Sequence, residues 1–354
     1  MNGRINLISS KSRRLSFQST TTDSAAEQSA SEMPGPRAMQ MGRASRAGAL
    51  SLFIFLALVA LAVSARAEST TQPVKTDHFT RLTDIRYGEG PDRSNLLDLY
   101  LPDHVDRPTP TIVWIHGGGW SSGDKKLCPA IPLANQGFIV ASINYRLSGQ
   151  APFPAQIEDC KGAVRFLRAH AGQYHIDPQR IGGWGASAGG HLVALLGTSG
   201  GASELEGTVG GNLDQSSRLQ AVCDWYGPSD LTQFADQAQA AGIIQKTPGP
   251  TLIMRLFGGS LQEKKQAVRL SNPITFINDK TAPELPPFLI MHGDKDKMVP
   301  LAQSRLLYDA LKAADARVEF KIIPGAGHGS GFFFVPAVSD AVLKFFQTTI
   351  ATAK

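Results

Sequence analysis

The chain has 354 residues, 42% hydrophobic and 18% charged, with 35 Gly, 22 Pro and 3 Cys. That length and balance fit one large globular domain or two small ones, and they exclude a disordered chain, a collagen-like chain and a small disulfide scaffold. The formal net charge of +5 does not point to nucleic acid, because residues 1–67 carry eight basic and three acidic side chains while 68–354 carry 27 of each.

Arg43 and Arg46 precede 19 uncharged, mostly apolar residues that run up to Arg66, and Ala65-Arg66-Ala67 closes the stretch. A basic start, an apolar run and small residues at the end read as a secretory signal peptide cleaved after Ala67, with cleavage after Ala65 the nearest alternative. An uncleaved signal anchor that tethers the protein to a membrane is the competing expectation, since 19 residues can just span a bilayer. Residues 1–38 lack periodicity, and Met39 and Met41 stand just ahead of the basic pair. Translation is therefore expected to begin at one of these methionines, with 1–38 upstream of the true start. The expected organisation is a leader, 1–67, and one domain, 68–354, that is secreted or periplasmic and has no stable membrane insertion. Cys128, Cys160 and Cys223 allow at most one intramolecular bridge, and Cys160 and Cys223 fall in segments that read as core. Nothing has metal-ligand spacing.

From about residue 80, short apolar runs alternate with amphipathic stretches. Strands are predicted at 82–87, 96–101, 111–115, 138–143, 180–184, 219–225, 287–291 and 318–323. Helices are predicted at 155–171, 187–197, 301–314 and 336–350. In the first helix Ile157, Cys160, Val164, Leu167 and Ala171 share one face. Strands separated by helices predict an α/β fold with a mostly parallel central sheet covered on both faces, and the first two strands read as an antiparallel hairpin. Residues 197–217 are Gly- and Ser-rich and read as a long surface loop. Residues 230–277 break the alternation and form a small cap-like insertion, either facing substrate or packing on the sheet.

Gly185-Ala186-Ser187-Ala188-Gly189 fits G-x-S-x-G between a predicted strand and helix, the setting in which a sharp turn presents a serine nucleophile, here Ser187. The helix start behind it points N–H groups at a developing anion. His116-Gly117-Gly118-Gly119-Trp120 follows an earlier strand, where glycines can turn N–H groups toward a substrate oxygen. The candidate oxyanion donors are Gly118, Gly119 and Ala188, and His116 is read as structural. A serine needs a base and the base a carboxylate, expected in the chain order serine, acid, histidine. His328, in Gly325-Ala326-Gly327-His328-Gly329, is the candidate base. His191 sits four residues past Ser187 on the same helix and cannot readily reach over it. His78, His104, His170 and His175 precede the serine, and His292 precedes the acid candidates Asp294 and Asp296. Asp294, Asp296 and Asp230 compete as the acid; Asp296 is favoured and Asp294 reads as a turn former.

The stretches His116–Trp120, Asn144-Tyr145-Arg146-Leu147, Phe153-Pro154-Ala155-Gln156, 176–192, Asp224-Trp225-Tyr226-Gly227, 292–300 and 325–328 together resemble an α/β-hydrolase of the esterase/lipase superfamily. The nearest type is the bifunctional feruloyl and acetyl xylan esterase, and the resemblance spans residues 80–350. In that family the residue at the position of Asp296 is the triad acid. The resemblance implies cofactor-free hydrolysis of a small ester or an acylated carbohydrate through an acyl-enzyme, with Ser187, Asp296 and His328 as triad. Trp120, Tyr145 and Trp225 are candidate pocket walls, with a buried core aromatic the equal alternative for each. Formamide hydrolysis of the kynurenine formamidase kind is one alternative. A non-catalytic binding protein on a hydrolase fold is another, and it is expected to lack Ser187 or His328.

Overall fold

Apolar runs with alternating partners set the frame. In β4 (Thr109–Ile115), Val113 and Ile115 join one hydrophobic cluster while Ile112 and Trp114 join another on the opposite face. A strand apolar on both faces belongs inside a sheet covered on both sides. The computed structural model describes residues 74–75, 79–90, 92–103, 105, 107–243 and 251–351. The expected signal peptide, its cleavage site and the proposed start at Met39 or Met41 lie outside these residues.

The described strands form one nine-stranded sheet: β1 (Val74–Lys75), β2 (Phe79–Arg86), β3 (Leu96–Pro102), β4, β5 (Ile139–Ile143), β6 (Ile176–Ala186), β7 (Ala221–Trp225), β8 (Phe288–Gly293) and β9 (Val318–Ile323). Their spatial order is β1-β2-β3-β5-β4-β6-β7-β8-β9. Pairing is antiparallel from β1 through β3 to β5 and parallel from β5 onward. All eight predicted strands are present, and the two-residue β1 is too short to leave a periodic signal.

The helices are α1 (Ala155–Ala169), α2 (Ala171–Tyr174), α3 (Ala188–Thr198), α4 (Phe234–Ala240), α5 (Leu252–Phe257), α6 (Lys265–Ser271), α7 (Leu301–Ala313) and α8 (Pro336–Phe346). Apolar residues of α1, α3 and α7 join the cluster on one face of the sheet, and Val338, Val342, Phe345 and Phe346 of α8 join the cluster on the other. The loop after α3 runs over the surface as expected, most of its residues exposed or half-buried, and it is pinned where Leu205 is buried and Glu206 pairs with Lys161 and Arg165 of α1. The insertion packs mainly as scaffold: Leu231, Phe234, Leu256, Phe257 and Val268 are core residues. Among the described residues of the insertion, Leu252 alone lines the cavity described next. The three cysteines are free and buried.

Candidate active site

The carboxyl ends of parallel strands are where an α/β sheet can hold a reacting group, because loops leave there and helix N-termini point back. Ser187 sits at the end of β6 with φ 57° and ψ −120°, immediately ahead of α3. Its N–H donates to Trp225 O (2.8 Å), and its carbonyl accepts from His191 N–H (2.9 Å). The turn needs glycine behind it, since a Cβ at Gly189 would collide with the Ile115 carbonyl of β4. The reward for this strained backbone is a half-buried serine that lines a cavity at a helix start.

His328, in the loop after β9, places Nε2 2.9 Å from Ser187 Oγ. Its Nδ1 lies 2.8 Å from Asp296 Oδ2, in the loop after β8. A carboxylate only accepts, so Nδ1 carries the proton and Nε2 is left to accept from the serine hydroxyl. Asp296 Oδ1 accepts the N–H groups of Met298 (2.8 Å) and Val299 (2.9 Å). Burial works to raise the Asp296 pKa, but hydrogen bonds from His292 and His328, the His328 charge and the Met298 N–H hold it well below the usual carboxylate range.

The other acid candidates stand outside this relay. Asp294 is exposed and accepts the Gly325 N–H (2.7 Å), so it ties the histidine loop to the acid loop. Asp230 accepts from Thr232, Gln233 and Asn272 and braces the start of the insertion.

The loop after β4 brings Gly117 against the serine, where a Cβ would lie 2.8 Å from Ala186 O and 3.3 Å from Ser187 Cβ. Gly118, Gly119 and Trp120 have φ of 109°, 59° and 56°. Among the described residues no hydrogen bond uses the N–H of Gly118 or Gly119. Ala188 is the first residue of α3, where an N–H has no intrahelical acceptor.

His116 is buried, stacks on Tyr145 (centroids 4.4 Å apart) and faces its own loop through Nδ1 and Gly117 O (2.8 Å). It is placed as a structural residue. His191 is also buried: its Nδ1 accepts from Trp120 Nε1 (3.1 Å) and its Nε2 donates to Ser271 O (2.7 Å). Burial outweighs the Ser271 contact and pushes its pKa down to about 4.

A cavity of about 1160 Å³ opens over Ser187 and His328. Of the three aromatic candidates for its wall, Trp225 lines it and two do not. Trp120 is buried with its indole N–H spent on His191, and the buried Tyr145 donates its hydroxyl to His116 O (3.1 Å). Both hold the Gly118–Trp120 loop from behind, because a loop with three consecutive positive φ angles needs anchors. Sequence reasoning missed Leu127, Leu252, Met298 and Phe334, which line the cavity while 73%, 41%, 57% and 57% exposed. They come from four separate segments, and only the fold gathers them. Among the described residues no group of three or more His, Cys, Asp or Glu could hold a metal ion, and no helix is long and apolar enough to cross a membrane.

The BD-FAE family model matches residues 97–311. Esterase LipQ of Mycobacterium tuberculosis is 34% identical over 258 residues, 71% of this chain and 58% of LipQ, so the chain spans a little over half the length of that relative. A truncated carbohydrate esterase from gut microbiota superposes with a TM-score of 0.70 at 32% identity, covering 79% of this chain and 99% of that one. A bifunctional GH43-CE protein from Bacteroides eggerthii gives a TM-score of 0.67 at 36% identity, over 76% of this chain and 35% of that one. The match of the family model to more than half of the sequence, together with the sheet order and these superpositions, shows that the chain belongs to the BD-FAE family of the α/β-hydrolase fold.

Proposed function

We propose that this protein is an exported serine esterase that cleaves acetyl or feruloyl esters of plant polysaccharide through an acyl-enzyme. The observation that carries the reading is the unbroken chain Ser187 Oγ, His328, Asp296 beneath the Gly118–Gly119 loop. Ser187 Oγ attacks the ester carbonyl carbon as His328 Nε2 takes the hydroxyl proton, and the carbonyl oxygen becomes an anion. N–H groups of Gly118, Gly119 and Ala188 stabilise that anion, and Asp296 stabilises the imidazolium. The C–O bond to the alcohol breaks as His328 returns its proton to the departing oxygen. Water, deprotonated by His328, then attacks the acyl-enzyme and releases the acid and Ser187.

The polysaccharide part of the reading draws its support from the family and from the carbohydrate esterase among the similar structures. The apolar lining from Trp225, Leu127, Leu252 and Phe334 favours an aromatic acyl group at one end of the substrate. Export is supported by the basic, then apolar, then small-residue order of the leader.

The test is hydrolysis of p-nitrophenyl acetate, methyl ferulate and acetylated xylan by the wild type and Ser187→Ala. Acetate or ferulate release that Ser187→Ala abolishes is expected. Activity on p-nitrophenyl acetate alone withdraws the polysaccharide substrate, and no Ser187-dependent hydrolysis withdraws the esterase. N-terminal sequencing of the exported protein is expected to begin at Glu68.

A further inference from the structure

A second histidine stands behind the acid. His292, at the carboxyl end of β8, is fully buried, and both of its ring nitrogens are engaged. Nδ1 lies 2.7 Å from Ser304 Oγ on α7, and Nε2 lies 3.0 Å from Val299 O and 3.3 Å from Asp296 Oδ2. A carbonyl and a carboxylate both accept, so Nε2 carries the hydrogen and Ser304 donates its hydroxyl to Nδ1. The ring therefore presents an N–H to the same Asp296 oxygen that holds His328. Nothing in the reaction requires this residue to touch substrate, and it is absent from the lining of the cavity.

We propose that His292 is a positioning residue for Asp296: fixed by Ser304 and Val299, it holds the carboxylate where His328 reaches it. This rests on the serine-esterase reading for its effect on turnover, but not for its effect on His328. The acid loop would otherwise depend on the two N–H groups at Oδ1, which leave Oδ2 restrained by His328 alone. Coupling through Ser304 ties the acid to α7, and coupling through the ring ties it to β8. The charged and titratable groups around the ring are Asp296, Asp224 at the end of β7, and Tyr226, whose ring centroid is 6.4 Å away. His328 meets the same Oδ2 oxygen.

The experiment compares the full-length wild type with His292→Phe, His292→Gln and Ser304→Ala. It measures thermal unfolding, kcat and KM on p-nitrophenyl acetate, and the NMR titration of the His328 imidazole. Phe keeps a ring and loses both hydrogen bonds, whereas Gln keeps one N–H donor. Losing His292 from behind the acid is expected to reduce kcat by about 10–100-fold, the range for outer-shell partners of a site, with KM within about twofold. Gln is expected to recover part of that loss. If the ring served packing alone, Phe would do at least as well as Gln, and that result overturns the proposal.

The His328 midpoint is expected to move downward in His292→Phe, because the carboxylate is no longer held against the ring and the imidazolium loses its counter-charge. Ser304→Ala should move it the same way by less. An unchanged or raised midpoint in the folded variants overturns the proposal. If His292→Phe fails to fold, Ser304→Ala and His292→Gln decide by the same two readouts. If the wild type shows no Ser187-dependent hydrolysis, the esterase reading fails while the His328 titration still decides the role of His292.

Discussion

At Asp296 two effects of opposite sign meet, and the hydrogen bonds win over burial. Its depressed folded-state pKa means that this carboxylate contributes stability above the ordinary range near 3.9, lost as pH falls through the lower folded value. Replacing it with Asn keeps the shape but lets His328 adopt the wrong tautomer. Asp296→Asn is expected to lower kcat by about 10⁴-fold, as in the serine-protease template, with folding retained by circular dichroism. His191 shows the reverse order, with burial dominating and the pKa pushed down to about 4. Below pH 6.5 the unfolded chain binds a proton there that the folded chain refuses, so stability falls with pH down to about 4, by at most about 3 kcal/mol. Asp224 works the opposite way, since burial pushes it up to about 6 against the hydrogen bond from the Gly227 N–H, and its contribution is lost as pH rises. The His191 effect is therefore read as a difference: urea unfolding of wild type and His191→Gln at pH 7 and pH 4.5 should show the shallower slope in the variant.

Elements meet through a few buried polar anchors. Lys161 and Arg165 of α1 are buried and share Glu206 of the following loop at 2.7 and 2.9 Å. Lys161 also donates to Ser199 O, and Arg165 to the carbonyls of Glu206 and Val209, so α1 fastens the whole loop after α3. Removing the carboxylate leaves two buried cations without a counter-charge. Glu206→Ala is expected to cost about 3 kcal/mol in chemical unfolding, with kcat little changed. The Gly118–Trp120 loop depends on a similar anchor, the Trp120 indole on His191 of α3. Trp120→Phe keeps the packing and strands the His191 Nδ1 acceptor, at a cost of about 1–3 kcal/mol. Because that bond also holds the positive-φ run beside Ser187, kcat should drop about tenfold with the Ser187–His328 pair intact, a difference that stopped-flow acylation would show.

At the scale of the whole molecule, the sheet order decides which loops meet. β4 lies beside β6, and β8 lies between β7 and β9, so the loops after β4, β6, β8 and β9 converge at one edge of the sheet. The α/β class, the eight longer strands and the Ser187, His328 and Asp296 candidates were legible in the chain, because strand alternation and strand-to-loop motifs are local in sequence. Other features depend on residues far apart in the chain, and no local pattern encodes such a meeting. Trp120 and Tyr145 carry the same side chains in a cavity wall as behind a loop, and only the packing of α3 and His116 decides that they stand behind it. His292 looked dispensable by chain order, and it is the tertiary contact with Ser304, 12 residues on, that turns its ring toward Asp296. The apolar rim of Leu127, Leu252, Met298 and Phe334 comes from four separate segments. Chain chemistry alone determined the sheet and the reacting groups; the long-range packing of β4, α3, α7 and the insertion decided how those groups are held and what surrounds them.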